Sequence, residues 1–294
     1  MTARHPRADR QAPSIERQAT SVRIVAYRGG AVEERQDRLS GEEPLAIRAA
    51  GPGQDAVDVA VTMRTPGHED ELAAGFLRTE GLIDEADRIQ AITFGDPAHN
   101  SRPDDEVTVR LGRGFDASRV AERHFVATAS CGICGKASLD EVAVRCDPIP
   151  DGPRVDARTL LSLPATLREA QAVFEQTGGL HAAGLFDPAG SLVALREDVG
   201  RHNALDKLIG SRVLARELPL NQSIVLVSGR ASFELVQKAA VAGVPVLAAV
   251  SAPSDLAAEA AERLGVTLVG FLRGDAFNVY ARGDRVRLPG SGRR

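Results

Sequence analysis

Ser223-Ile224-Val225-Leu226-Val227-Ser228-Gly229-Arg230-Ala231-Ser232 is an apolar, β-branched run that breaks at a glycine and ends on a hydroxyl residue suited to opening a helix. A short continuous apolar run bounded by turn residues reads as a strand buried on both faces. The same rhythm continues downstream, with a helix expected over Ser232 to Ala242, a strand over Val244 to Val250, a helix over Ser254 to Leu264 and a strand over Val266 to Leu272. Strands alternating with helices of this length predict an α/β fold with a mostly parallel sheet covered on both faces.

Upstream of this stretch a helix is expected from Arg201 to Ile209. Before it, His181 to Phe186 and Leu192 to Arg196 flank Asp187-Pro188-Ala189-Gly190, which reads as a hairpin. Pro164 is expected to start a helix that runs to Gln176 and stops at Gly178-Gly179, with proline at the entrance and glycine past the exit. The first half of the chain has a different texture. Val22 to Tyr27, Val57 to Met63 and Val107 to Leu111 have strand character. Thr65-Pro66-Gly67-His68-Glu69-Asp70 reads as a turn entering a helix that carries Leu72, Phe76 and Leu77 on one face. The expected organisation is a disordered tail over 1–20, a smaller α+β domain over 21–125, a cysteine loop and following helix over 126–150, an α/β domain over 151–282 and a tail over 283–294.

A chain of 294 residues is long enough for two domains with real hydrophobic cores. Its net charge of -4 argues against a general nucleic-acid binder, and 4% aromatic residues with no tryptophan argue against base-stacking platforms. Residues 1–20 are polar and lack the apolar core of a signal peptide. The runs Ile224 to Val227 and Val244 to Val250 are far shorter than the roughly 20 residues that cross a bilayer. A soluble, cytoplasmic protein is expected, in which thiols stay reduced.

Two of the three cysteines lie in Ser130-Cys131-Gly132-Ile133-Cys134-Gly135-Lys136. The glycines keep this loop thin, Lys136 adds positive charge, and the apolar pattern after it places the thiols near a helix N-terminus, where thiolate is favoured. The third, Cys146, stands alone and is expected to be buried and inert. One C-x-x-C pair is too few for a disulfide scaffold or an ordinary four-ligand zinc site. Thiol redox chemistry, sulfur carriage and half of a zinc site shared between subunits all remain open on these residues.

Ligands of open α/β sheets bind beyond the carboxyl ends of the strands. Three segments fall there. Ser228-Gly229-Arg230-Ala231-Ser232 offers glycine backbone, two hydroxyls, an arginine and helix N–H groups to an anion. Phe271-Leu272-Arg273-Gly274-Asp275 ends the last parallel strand, and Arg196-Glu197-Asp198-Val199-Gly200-Arg201-His202-Asn203 leads into a helix. Each is as compatible with helix capping as with ligand contact, and together they suggest a pocket for something phosphorylated. His181, at the start of an apolar strand, reads first as a structural residue. His202 and Asp206 share a helix face as a possible surface pair.

Five separated blocks, in order, resemble the formate dehydrogenase accessory sulfurtransferase family, the FdhD family. They are Gly75-Phe76-Leu77-Arg78-Thr79-Glu80-Gly81-Leu82-Ile83, Ser130 to Gly135, Thr177-Gly178-Gly179-Leu180-His181-Ala182-Ala183, Glu197 to Lys207, and Ser228 to Glu234. The resemblance spans about Ser21 to Ala281. It implies a sulfurtransferase that accepts sulfur from a cysteine desulfurase as a persulfide and passes it to the molybdenum (or tungsten) bis-pterin guanine dinucleotide cofactor, bound as substrate, for formate dehydrogenase. By position, Cys131 would carry the persulfide and Cys134 would be its partner. Phe271, Leu272, Arg273, Gly274, Asp275 and Ala276 would touch the cofactor, with Ser228, Gly229, Arg230, Ser232, His202 and Asn203 nearby. The resemblance further implies a three-layer C-terminal domain like cytidine deaminase and a homodimer.

The residues of a zinc deaminase are missing. His181-Ala182-Ala183 lacks the glutamate of H-x-E, Ser228-Gly229-Arg230 stands where metal-binding cysteines are expected, and the C-x-x-C precedes the histidine. No bound metal is therefore expected. The competing class is a thiol-disulfide oxidoreductase or redox-sensing nucleotide-binding protein. It is weakened because the pair does not follow a first strand in a thioredoxin-like start and because disulfide exchange needs no anion pocket.

Overall fold

The computed structural model of the chain describes residues 15–84, 87–95, 104–120 and 146–289. A helical turn at Ile15–Gln18 leads into β1 (Ala19–Arg28), and β2 (Ala31–Ser40) returns antiparallel, Ala19 opposite Ser40 and Arg28 opposite Ala31. Gly29 and Gly30, at φ 56 and 92, supply the left-handed two-residue turn that matches the twist of such a ribbon. Next come β3 (Glu43–Ala50), β4 (Val57–Arg64), helix α1 (Glu69–Thr79), β5 (Ile89–Phe94) and β6 (Glu106–Leu111). The strands form a sheet in the order β4-β3-β6-β5, parallel only at β3 and β6. Leu72, Ala73 and Leu77 of α1 close its core against Leu45, Ile47, Val107 and Val109.

The second part begins with β7 (Val155–Asp156), α2 (Ala157–Ala170) and α3 (Ala172–Thr177). It continues through the hairpin β8 (His181–Phe186) and β9 (Leu192–Asp198), α4 (Arg201–Ala215), β10 (Ile224–Val227), α5 (Phe233–Val241), β11 (Val246–Ala249), α6 (Asp255–Arg263), β12 (Thr267–Arg273) and β13 (Ala276–Ala281). These six strands pair in the order β13-β12-β11-β10-β8-β9. Leu205, Leu235 and Ala257 of α4, α5 and α6 share one buried cluster with Val225, Leu247 and Leu268. Leu160, Leu163 and Leu167 of α2 pack with Ile224, Leu226, Val246 and Val269 on the other face. The unit therefore has three layers, helix on sheet on helix.

Three expectations are corrected. The sheet is mixed rather than mostly parallel, because only β10–β11 and β11–β12 run parallel. Hairpins supply antiparallel neighbours on both sides: β8–β9 next to β10, and β12–β13 across the two-residue Gly274-Asp275 turn. Pro164 does not start a helix; it sits inside α2, which begins at Ala157 and is broken from α3 at Gln171. Burial of Leu160, Leu163 and Leu167 along one face holds the turns on both sides of the missing N–H together. The tails are also shorter than expected. Ala19 and Thr20 open β1, and residues past 282 form a 3-10 turn (Gly283–Arg285) and β14 (Val286–Arg287), which pairs with β7 while Arg285 donates to Gly265 O at 2.8 Å.

Two glycines weld the halves together. A Cβ on Gly75 of α1 would lie 1.9 Å from Asp206 O, and one on Gly210 of α4 would lie 1.8 Å from Glu71 O, so the helices cross backbone to backbone. Two buried ion-pair networks flank the crossing. Lys238 Nζ donates to Glu80 Oε1 (2.7 Å), Asp206 Oδ2 (2.9 Å) and Thr79 Oγ1 (2.9 Å), and the Thr79 hydroxyl donates to Asp206 Oδ1 (2.7 Å). Lys207 Nζ lies 2.6 Å from Asp198 Oδ2 and donates to Thr65 O at 2.8 Å.

Candidate functional site

The carboxyl ends of β10, β11 and β12 are stitched together by their following loops. Ser251 N–H donates to Gly229 O (3.4 Å), Ala231 N–H to Ala252 O (3.2 Å), Ser254 N–H to Ala231 O (3.0 Å) and Phe271 N–H to Ser251 O (3.1 Å). These bonds set the segments 228–232, 251–254 and 271–275 side by side along one rim. The start of β8 and the end of β9 reach the same rim, because β8 runs antiparallel to β10 and His181 stands opposite Asp198. The N-termini of α4 and α5 therefore converge on it.

Ser228 is tied to β8: its N–H donates to Ala182 O and its Oγ accepts from Ala182 N–H, both at 2.9 Å. Gly229 lies against His181, so that a Cβ there would sit 3.3 Å from His181 Nδ1 and 3.8 Å from Arg201 Cδ. Arg230 is exposed. Ser232 occupies the N-cap position of α5 without capping it, whereas Ser254 caps α6 by accepting from Ala257 N–H at 3.2 Å. The Ser232 hydroxyl instead lies 3.2 Å from His202 Nε2, which is also 2.9 Å from Glu234 Oε2. An uncapped helix start beside a glycine backbone suits an anion.

Sequence reasoning passed over two residues at this corner. Arg201, in the first turn of α4, has a buried Nε–H with no acceptor among the described residues. His181, read first as structural, is half-buried next to it; burial and then the Arg201 charge push its pKa below the usual 6.5, so the ring is neutral at pH 7. Arg201 lay within a quoted block, but only the spatial approach of β8 to α4 distinguishes it from its neighbours.

The other expected residues divide. Phe271, at φ 53, forms a bulge with its ring 5.6 Å from the Arg273 guanidinium, and Arg273, Gly274, Asp275 and Ala276 are exposed around the β12–β13 turn. Leu272 points into the core, which leaves only its backbone for a ligand. Asn203 is buried and donates to Met63 O (2.8 Å) and Asp198 Oδ1 (3.2 Å), tying α4 to β4. Asp206 makes no surface pair with His202; it is buried in the Lys238 network. Cys131 and Cys134 lie outside the described residues. Cys146 is half-buried, and burial followed by the Asp147 charge raises its thiol pKa, which keeps it protonated. Among the described residues no group of three or more His, Cys, Asp or Glu is placed to hold a metal ion, and no helix is long and apolar enough to cross a membrane.

Comparison with known proteins points to one family. The FdhD/NarQ family model matches residues 40–287. A sulfur carrier protein FdhD from Streptomyces avermitilis is 51% identical over 272 residues, covering 90% of this chain and 95% of that one. The protein of the same name from Mycolicibacterium paratuberculosis is 50% identical over 276 residues, covering 92% and 99%. Among solved structures, one described as a formate dehydrogenase accessory protein from Desulfotalea psychrophila superposes with a TM-score of 0.68 at 26% identity, covering 92% of this chain and 100% of that one. The chain belongs to the FdhD/NarQ family.

Proposed function

We propose that this chain is a cytoplasmic sulfur carrier, with sulfurtransferase activity, that serves formate dehydrogenase. Its sulfur donor is a cysteine desulfurase and its acceptor the molybdenum (or tungsten) bis-pterin guanine dinucleotide cofactor, bound as substrate. The Cys131 thiolate attacks the outer sulfur of the desulfurase persulfide; the desulfurase cysteine leaves as thiolate and Cys131 holds the S–SH group. Attack of the Cys134 thiolate on the inner sulfur then releases hydrosulfide for the acceptor and leaves a Cys131–Cys134 disulfide. The two thiols supply the two electrons, and an external dithiol must restore them.

The observation that carries the second half of this reading is the corner where Arg201 Nε–H lacks an acceptor beside Gly229 and the uncapped start of α5. Unused donors on two helix starts match the phosphates of a dinucleotide. Arg273 would join Ser228 to Ser232 around the phosphates, and Phe271 would meet the guanine. This reading includes a cytidine-deaminase-like second domain and a homodimer. The test is intact mass spectrometry after incubation with a cysteine desulfurase and cysteine. One added sulfur, mapped to Cys131, removed by reductant and absent from Cys131→Ala, is the expected result. A disulfide without added sulfur, or a loaded Cys131→Ala protein, would overturn it.

A further inference from the structure

His181 opens β8 at the rim where α4 and α5 begin, and its ring lies against the backbone of Gly229. A Cβ on Gly229 would sit 3.3 Å from His181 Nδ1, 3.4 Å from its Cε1 and 3.8 Å from Arg201 Cδ. The imidazole and the arginine stem thus meet over a glycine, where a side chain would crowd both. Of the three histidines among the described residues, two have partners. His68 Nδ1 lies 3.2 Å from Glu71 Oε2, and His202 Nε2 lies 2.9 Å from Glu234 Oε2. The His181 ring makes no hydrogen bond or ion pair with any described residue.

The charges that face this ring come from two elements. Arg201 and His202 of α4 oppose its protonation, and Asp198 of β9, opposite His181 in the hairpin, favours it. Asp198 is already committed elsewhere. It is fully buried, lies 2.6 Å from Lys207 Nζ, and accepts from Thr65 N–H (3.1 Å), Gly200 N–H (2.8 Å) and Asn203 Nδ2–H (3.2 Å). In the β10–α5 loop, Ser228 is tied to Ala182, Arg230 is exposed, and the Glu234 carboxylate just beyond is engaged by His202. The ring is therefore neutral beside a cation whose Nε–H has no acceptor among the described residues. An anion that docks on Arg201 reverses this balance, because it cancels the opposing charge and brings an opposite one within reach of the ring.

We propose that His181 is a phosphate-binding residue of this corner, whose ring takes up one proton as a diphosphate docks and then donates a charge-assisted hydrogen bond to it. This assignment rests on the diphosphate reading of the corner given above and names the residue that completes it. The proton comes from solvent, imidazole becomes imidazolium, and no bond to phosphorus forms or breaks. Arg201 and His181 then grip the anion from two different elements, one on either side of Gly229.

The test is an NMR titration of the histidine rings of the full chain, free and saturated with guanosine diphosphate, with the His181 signal assigned by its loss in His181→Gln. An opposite charge within about 4–6 Å moves a pKa by roughly one to three pH units. The His181 ring is expected to titrate higher by that amount in the complex. A group whose pKa rises on binding favours the complex at low pH and loses that contribution as pH climbs through the bound value. Calorimetric affinities for guanosine diphosphate in wild type and His181→Gln are therefore expected to diverge by roughly tenfold or more as pH falls from about 8.5 to about 5.5. The ligand's own phosphate titration is common to both proteins and cancels in the comparison. If His181→Gln disturbs folding, His181→Asn takes its place, and the wild-type titration stands by itself. A ring that titrates at the same or a lower pH in the complex, or an affinity gap independent of pH, overturns the assignment while the anion corner stands. A wild type that does not bind guanosine diphosphate overturns the corner and the role of His181 with it.

Discussion

Replacing Gly210 by alanine places a methyl group 1.8 Å from Glu71 O and 2.7 Å from Gly75 N, where ordinary contact begins at 3.4 Å. The obstacle is backbone on a packed helix, which no rotamer change can move aside. Helices α1 and α4 must therefore part by roughly 1.5 Å, against the Lys238, Asp206, Glu80 and Thr79 network that ties their two sides. Overpacking costs about 1–3 kcal/mol, and a backbone obstacle puts this site at the upper end, ~3 kcal/mol. Alanine in a helix interior returns ~1 kcal/mol of propensity, leaving a net loss of ~2 kcal/mol. At about 2–4 °C per kcal/mol for a chain of this order of size, the melting temperature falls by roughly 4–8 °C. Differential scanning calorimetry reads this directly. Gly75→Ala, whose Cβ would meet Asp206 O at 1.9 Å, is expected to behave alike, and the double substitution to cost less than the sum, since one opening relieves both clashes. A Gly210→Ala protein that melts at or above the wild-type temperature refutes the backbone-to-backbone crossing.

Three further outcomes are expected. Lys238→Met leaves the buried Asp206 and Glu80 carboxylates without their cation and is expected to cost about 3–5 kcal/mol in urea unfolding; a loss below ~1 kcal/mol would show that the cluster is solvated. Burial pushes the Glu71 carboxyl up, but the Arg196 guanidinium and the His68 ring overcome it and hold its pKa at about 2. A carboxyl depressed in the folded state contributes stability above its unfolded value of 4.5 and loses it as pH falls toward 2. Glu71→Gln is therefore expected to cost on the order of 2–3 kcal/mol near pH 7 and little near pH 2, and a difference independent of pH counts against the pairing. Arg201→Gln is expected to weaken guanosine diphosphate binding by about 10–100-fold in calorimetric titration while the melting temperature holds; unchanged affinity removes Arg201 from the proposed anion corner.

Local rules carried much of the chain. Apolar runs between turn residues marked β8, β10, β11 and β12, and the acidic first turn with Leu72, Phe76 and Leu77 marked α1. Such features depend on the period of burial and on caps, which neighbouring residues specify. β2 is not legible in the sequence because Ala31 to Ser40 is mostly polar; it is a strand because β1 pairs with it, and not because it fills a core. Pro164 misled because the entrance rule is statistical, while burial of a leucine face is energetic.

What the sequence determined by itself was the set of residue types available: a C-x-x-C thiol pair, loops rich in glycine, hydroxyl and arginine residues, and the blocks that resemble one family. Tertiary structure decided the roles within those blocks. Asn203, Asp206 and Lys207 stand in a stretch that looks like a ligand site, and their side chains join α4 to β4, α1 and α5. Arg201, at the start of the same helix, is left with a donor to offer. The reason is geometric. One helical turn points consecutive polar residues in different directions, and only the packing of α1 and β4 against α4 determines which of them are satisfied within the protein and which face the rim.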